Sequence, residues 1–411
     1  MSKQNLKEDI NKFVNTVSST VTSTIDLTGD KSIFYFTLAL LIVAFIIFLV
    51  MSWLFHTLNK KDAACKKLNT IYLENSKHKT NSFFRSGNNI KSEAKQSNNP
   101  ANFFDNEHKS LVKNYYIKTA YNACCGDGYK NNFVNKCALE KCIELGARCL
   151  DFEIYSYNGE PIVAASTAND NSIKETYNYI KLTDVFDILR ENCFEETKTS
   201  AGNDPMYLHF RIMSENKVIY DKFGEYIEEY LIKNRANIVD YEKYNYKNTT
   251  NDDILLQHIG TSNFNKKFII MVHTLHVPIL DNSKLSKYVH IRSGSKVLRF
   301  YRYEQVIAAG KNNPLMIDES HRSLIMVLPN IDNTLQNFDP LLPLNNGCQF
   351  VGMKFQNIDN NLVGYYKMFK DSGGFSFVLK PNNLRKDIIP PEDPVEGEGM
   401  NAPGTLTLGN S

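Results

Sequence analysis

Three pairs spaced i, i+2 hold most of the groups in this chain that could do acid–base or anion chemistry: Asp151 with Glu153, His209 with Arg211, and Met271 with His273. They sit in the runs CLDFEIY, MYLHFRI and KFIIMVH, which read as β-strands, and strand alternation puts the members of each pair on one face. Two imidazoles on one face could pass protons near neutral pH, which makes His209 and His273 a candidate acid–base pair. Arg211 could bind a phosphate or neutralise Asp151 and Glu153. The competing reading has the histidines as hydrogen-bonded core residues and the acids with Arg211 as a structural ion network. It is the favoured one here, because no recognised motif joins these histidines.

The eight cysteines (65, 124, 125, 137, 142, 149, 193, 348) show no zinc-ligand spacing with companion histidines. Several fall on apolar faces, where free cysteine packs as a small hydrophobe, so reduced thiols in a cytosol-facing domain are expected. The adjacent Cys124 and Cys125 read as structural rather than as a metal or exchange site.

The elements that must position these groups follow from pattern. At 411 residues and 42% apolar, the chain can bury one large core with appendages. A net charge of +2 with interspersed signs argues against nucleic acid as a partner. The runs PIVAAS and QFVGMKF add strands, and LTDVFDILRENC and VIYDKFGEYIEEYLIKN read as amphipathic helices. Alternation of this kind predicts parallel strands with crossover helices, of which a (β/α) barrel is the commonest large form.

Residues 32–55 form an uncharged apolar run long enough to cross a bilayer as one helix. Its late start, its length and the lack of a small-residue cleavage site set aside a signal peptide. Lys60, Lys61, Lys66 and Lys67 follow it, whereas Asp26, Asp30 and Lys31 precede it, so the positive-inside rule places the large carboxyl-terminal part in the cytoplasm. Segment 1–31 carries Leu6, Ile10, Phe13, Val14, Val17, Val21 and Ile25 at helical spacing. Two readings stay open for it: a helix lying on the membrane or on a partner, and a weak Ser- and Thr-rich helix with no specific role. Residues 56–105 read as a polar flexible linker, most clearly from Ala63 on, 106–385 as the barrel, and 386–411 as a disordered tail rich in Pro, Gly and acid.

A collinear set of short motifs then gives the barrel a family likeness. Ile117 to Asn122, Gly146 to Glu153 and Glu160 to Ser166 run in order, followed by Leu328-Pro329, Gln336 to Pro340, Leu344 to Gln349 and Ser376 to Pro381. This series resembles the X and Y halves of phosphoinositide-specific phospholipase C, over approximately Asn106 to Arg385. The resemblance implies a TIM-type barrel of the phospholipase C-like phosphodiesterase kind, preceded here by one transmembrane helix. In that family two histidines and a calcium ion cleave the phosphodiester. The histidine positions fall on Tyr121 and Ala165, and no histidine lies between His108 and His209. The calcium ligands fall on Asn122, Asp151, Glu153 and, for the last carboxylate, Arg211. A fixed cation there makes calcium doubtful and no cofactor is expected. Family contacts to the headgroup phosphates fall on Met271, His273, Met326 and Leu328.

The expectation is a single-pass membrane protein with a catalytically degenerate barrel that binds a phosphoinositide or related phospholipid headgroup, or an unknown protein partner. The alternative is an active, metal-independent phosphoric diester hydrolase acting on phosphatidylinositol or a related glycerophosphodiester, with His209, His273 and Arg211 as substitutes. A third reading is inert structural bulk.

Overall fold

The computed structural model describes residues 11–12, 15–16, 30–83, 111–168, 173–233, 237–248 and 264–385. The amphipathic pattern of segment 1–31, most of the expected linker beyond residue 83, and the tail 386–411 lie outside them. The chain divides into two compact units, Met1–Asp62 and Ala63–Ser411.

In the first unit, helix α1 (Asp30–Asn75) begins, and its apolar residues, among them Leu41, Phe45, Phe48, Trp53 and Phe55, are exposed. The described part of the run 32–55 is apolar on every side of the helix. One helix long and apolar enough to cross a membrane occurs among the described residues.

The second unit is a nearly closed barrel of eight parallel strands. They are β1 (Tyr115–Ala120), β2 (Cys149–Tyr157), β5 (Met206–Ile212), β6 (Phe268–His273), β7 (Ile291–Arg292), β8 (Leu298–Arg302), β9 (Leu324–Leu328) and β10 (Phe350–Met353). They lie side by side as β7-β6-β5-β2-β1-β10-β9-β8, and only a single bridge, Ser293 with Leu298, joins the two ends. Strands β3 (Glu160–Ala164) and β4 (Ile180–Lys181) extend β2 as antiparallel ribbons, and β11 (Phe377–Leu379) pairs antiparallel with β1. Helices α2 (Lys136–Glu144), α3 (Leu182–Asn192) and α4 (Lys217–Tyr226) cross outside the sheet.

Register sorts the barrel interior into layers. Cys149, Tyr207 and Ile269 lie side by side; one step nearer the strand carboxyl ends come Asp151, His209 and Met271; last come Glu153, Arg211 and His273. The apolar layer closes the bottom, and the ionisable ones stand toward the carboxyl-terminal face, where barrels of this type carry their chemistry. The alternate residues Phe152, Phe210 and Val272 face outward, and Phe210 meets Phe186 of α3 and Phe223 of α4 at centroid distances of 6.2 and 4.9 Å.

Two expectations need correction. The linker expected from residue 56 is helical as far as Asn75, and from Ala63 on it belongs to the barrel unit. Ala64 and Leu68, four apart on one helix face, are buried beside Gly126, and Asn81 pairs with Phe375. The polarity that suggested a tether is the outer face of this helix, whose apolar stripe is too narrow to stand out. The cysteines are also not all free: Cys65 and Cys137 form a disulfide with Cα atoms 6.1 Å apart, which staples α1 to α2, while the other six are free and buried.

Much of the motif series proves to be scaffolding. Gly146 has φ +85°, and a Cβ there would lie 2.1 Å from Thr80 Oγ1. Gly347, φ +78°, would meet Ser320 Oγ at 2.3 Å. Only glycine fits either place. Gln349 accepts from Ile325 N at 2.7 Å and donates to Lys113 O at 2.8 Å, and Arg148 donates to Cys193 O at 2.9 Å.

Lys380, in the last motif, is buried and its ammonium has no hydrogen-bond partner, so burial pushes its pKa down to about 7. The unfolded chain keeps an ordinary lysine, so the cost of burying the charge is complete below pH 7 and shrinks as pH rises toward the unfolded value. Lys380→Met is therefore expected to raise the melting temperature of the full chain, and by more at pH 6 than at pH 9. An equal shift at the two pH values would rule out a buried charge as the cause.

Candidate functional site

The centre of the barrel mouth is a guanidinium. Arg211 on β5 donates through Nε to Asp151 Oδ1 at 2.9 Å, through Nη2 to Asp151 Oδ2 at 2.8 Å and to Asn122 Oδ1 at 2.8 Å. Its Nη1 lies 2.9 Å from Glu153 Oε1. The bond pair to Asp151 is the forked geometry that arginine makes with a carboxylate. The Tyr121 ring centroid lies 5.0 Å from the guanidinium carbon. Every one of these side chains is buried.

Local backbone explains how Asn122 takes part. It follows β1 at φ 44°, a left-handed conformation that asparagine tolerates better than most residues. In that turn its N–H donates to Asp151 Oδ2 at 3.2 Å and its Nδ2 to Glu153 Oε1 at 3.1 Å. Glu153 Oε2 accepts from Tyr155 OH at 2.8 Å and from Ser166 N at 2.9 Å. The carboxylates are thus held by several donors each, as buried charges must be.

Electrostatics follow from this packing. Burial works against the charged form of Asp151, but Arg211 and His209 outweigh it and hold the carboxyl well below the usual carboxylate range. Burial likewise opposes the Arg211 charge, and Asp151 with Glu153 outweighs it. His209 stands 2.7 Å from Asp151 Oδ1 through Nδ1, and its Nε2 has no hydrogen-bond partner. Burial lowers its pKa despite Asp151, with Arg211 and Arg302 adding to the effect. His273 stacks on Phe300 at 4.5 Å, and burial, then His209, Arg211 and Arg302, push it down to about 3. The two imidazole rings are 6.4 Å apart and both are neutral at physiological pH.

The structure therefore brings together nearly all the residues singled out from the sequence: Asn122, Asp151, Glu153, His209, Arg211 and His273 share one interior face, and Tyr121 borders it. Ala165 is fully buried and contributes only a methyl group beside Ser166. Tyr155 and Phe300 were missed. Tyr155 continues the i, i+2 series from Asp151 and Glu153, so alternation alone could have found it. Phe300 stands on β8, where no motif marked it.

A calcium ion would compete with Arg211 in this arrangement. The three groups that would ligate it, Asn122, Asp151 and Glu153, each give an oxygen to Arg211, and a hard divalent ion needs those same oxygens. Among the described residues no group of three or more His, Cys, Asp or Glu could hold a metal ion.

A nearly closed barrel of eight parallel strands with one incomplete seam is a phospholipase C-like fold. Residues 266–383, from the loop before β6 through β11, match the family Phosphatidylinositol-specific phospholipase C, Y domain. Over those residues, less than a third of the chain, it is phosphatidylinositol-specific phospholipase C-like, in agreement with the later motifs of the series, from Leu328-Pro329 to Pro381. Among solved structures it is similar to PLC21 of L. pealei, at 17% identity and a TM-score of 0.52, with 67% of this chain and 38% of that chain covered. PLC21 of S. officinalis gives 17% identity and a TM-score of 0.51 over the same shares. The chain thus spans well under half the length of these relatives, and at this identity the likeness is one of fold. No curated protein sequence matches the chain.

Arg211→Met would leave Asp151 and Glu153 buried without their cation, and the expected cost is about 3–5 kcal/mol of stability. Protonation relieves such a pair, so the gap in melting temperature to the unsubstituted chain should narrow between pH 7 and pH 5. A gap that widens on acidification would mean that Arg211 does not neutralise these acids.

Proposed function

We propose that this protein is a membrane-anchored, catalytically degenerate phospholipase C-like barrel that binds phosphoinositide-type headgroups without cleaving them. One observation carries the reading: Arg211 directs four of its five N–H donors to Asp151, Glu153 and Asn122, so the groups that would hold a metal or a reacting phosphate bind one another. The positions of the two family histidines offer a buried tyrosine, pushed up to about 12 by burial, and an alanine. Neither moves a proton at neutral pH, and each missing acid or base removes a factor of about 100 or more in rate. Arg302, at the end of β8 and half-buried, is the rim cation that would meet a headgroup phosphate.

A second reading has one observation in its favour. Asp151 orients His209 through Nδ1 and leaves Nε2 without a partner, an arrangement in which imidazole acts as a base. It lacks the complementary acid, because His273 at about 3 is neutral when a leaving group needs its proton.

The test uses the full chain in detergent, since residues from Ala63 on pack into the barrel. Phosphatidylinositol and its phosphorylated forms are supplied in mixed micelles, with calcium or with chelator, and inositol phosphate release is followed beside binding of dioctanoyl phosphoinositides. The expected result is binding without release, weakened about tenfold by Arg302→Ala, the scale of one lost charge-assisted hydrogen bond. Release that disappears in His209→Ala would establish the second reading instead.

The anchor is the apolar run 32–55, and the lysines after it support a barrel facing the cytoplasm. The Cys65–Cys137 disulfide stands against that orientation, since in the cytoplasm it would meet a reducing solvent and open. Alkylation of thiols in intact cells, followed by mass spectrometry, should find both cysteines alkylated and Asn248, in the sequence Asn-Thr-Thr, without glycan. A closed pair together with glycosylated Asn248 would place the barrel on the opposite side.

A further inference from the structure

The seam of the barrel exposes a second place where an anion can bind, and it lies on the face opposite the mouth cluster. Parallel strands need a long crossover, in most of this barrel a helix that covers the outside. Between β7 and β8 there are only residues 293–297, with no helix. Outward-facing residues run in register from Phe152 through Phe210 and Val272 to Arg292. The first three are apolar and buried, whereas the fourth is an arginine. On the inner face the same strands carry Asp151, His209, Met271 and Ile291. Arg292 therefore belongs to the outside of the barrel.

There it borders a cavity of about 610 Å³ whose polar lining is Tyr246, Lys247, Asp281, Arg292, Ser295 and Lys296. That volume suits a small organic ligand and exceeds what a lone ion needs. Three cations face one carboxylate. Asp281 is already engaged by Tyr246 OH, and Lys247 Nζ is fixed by Asp281 O at 2.7 Å and Ser286 Oγ at 3.1 Å. Neither Arg292 nor Lys296 makes an ion pair with any described residue, although Arg292 is half-buried. Ser295 Oγ accepts from Val297 N at 3.1 Å and from Leu298 N at 3.5 Å, which leaves its hydroxyl proton to donate outward. The charged His290 form plays no part, since this buried ring accepts from Ile270 N at 3.0 Å and faces Val239 O at 3.1 Å.

We propose that this cavity is a binding site for a phosphate monoester of a small organic molecule, held by the Arg292 fork with Lys296, Lys247 and the Ser295 hydroxyl. A guanidinium matches two phosphate oxygens at once, and an ammonium on each side adds charge without geometry. The ligand can come from a soluble inositol phosphate or from a phosphorylated lipid headgroup, because the recognised group is the same. The proposal is independent of what the mouth does.

Calorimetry on the full chain in a zwitterionic detergent tests it, with inositol 1,4,5-trisphosphate as the soluble probe and dioctanoyl phosphatidylinositol 4-phosphate as the lipid probe. The expected result is binding of at least one probe, weakened about tenfold or more when Arg292→Ala and Lys296→Ala are combined, on the scale of charge-assisted hydrogen bonds. Repeated in an Arg302→Ala background, where the mouth contributes less, the same loss on combining Arg292→Ala with Lys296→Ala is expected. Arg292→Lys keeps the charge but not the fork and should fall between, which separates a built site from diffuse attraction and serves in place of the double variant should that one not fold. Binding of the soluble probe alone, or of the lipid probe alone, names the source. Failure of both probes to bind, or affinity unchanged in the variants, overturns the proposal.

Discussion

A buried guanidinium is the constraint on which the mouth of this barrel depends. Arg211 can stay out of water only because two carboxylates and an amide oxygen close around it, and Asp151 keeps its charge in turn because Arg211 and His209 are there. That mutual dependence sets the other groups. It fixes Asn122 in its left-handed turn, draws the Tyr121 ring over the cation, and keeps His209 hydrogen-bonded but neutral.

The same logic separates the two kinds of residue that a family signature contains. Gly146, Gly347, Arg148 and Gln349 hold backbone against backbone, and their neighbours leave room for nothing else. Tyr121 and Ala165, at the positions that the resemblance assigns to proton transfer, are buried packing residues. Shape and chemistry can vary separately in such a barrel, because different residues specify the two.

The architecture also decides where charge can be useful. Helices α3 and α4 cover Phe152, Phe210 and Val272 on the outside, and where no helix follows β7 the row ends in Arg292 beside a cavity. An incomplete seam is a cost in buried apolar area, and a charged residue facing the gap avoids exposing a hydrophobic one.

Much of this was legible in the sequence for physical reasons. Strand alternation alone put Asp151 with Glu153, and His209 with Arg211, on common faces, because a period of two leaves no other choice. The apolar run 32–55 and the collinear motifs likewise depend on chain-local pattern. What lay beyond reach was contact between distant segments: that Ala64 and Leu68 pack on Gly126, that Cys65 meets Cys137, that Phe300 stacks on His273, and that a single guanidinium reaches three partners drawn from two other segments. The sequence determined which residues look inward, since side-chain direction is a local property of the backbone. Only the tertiary structure decided which of them touch, since strand order and closure of the barrel are global.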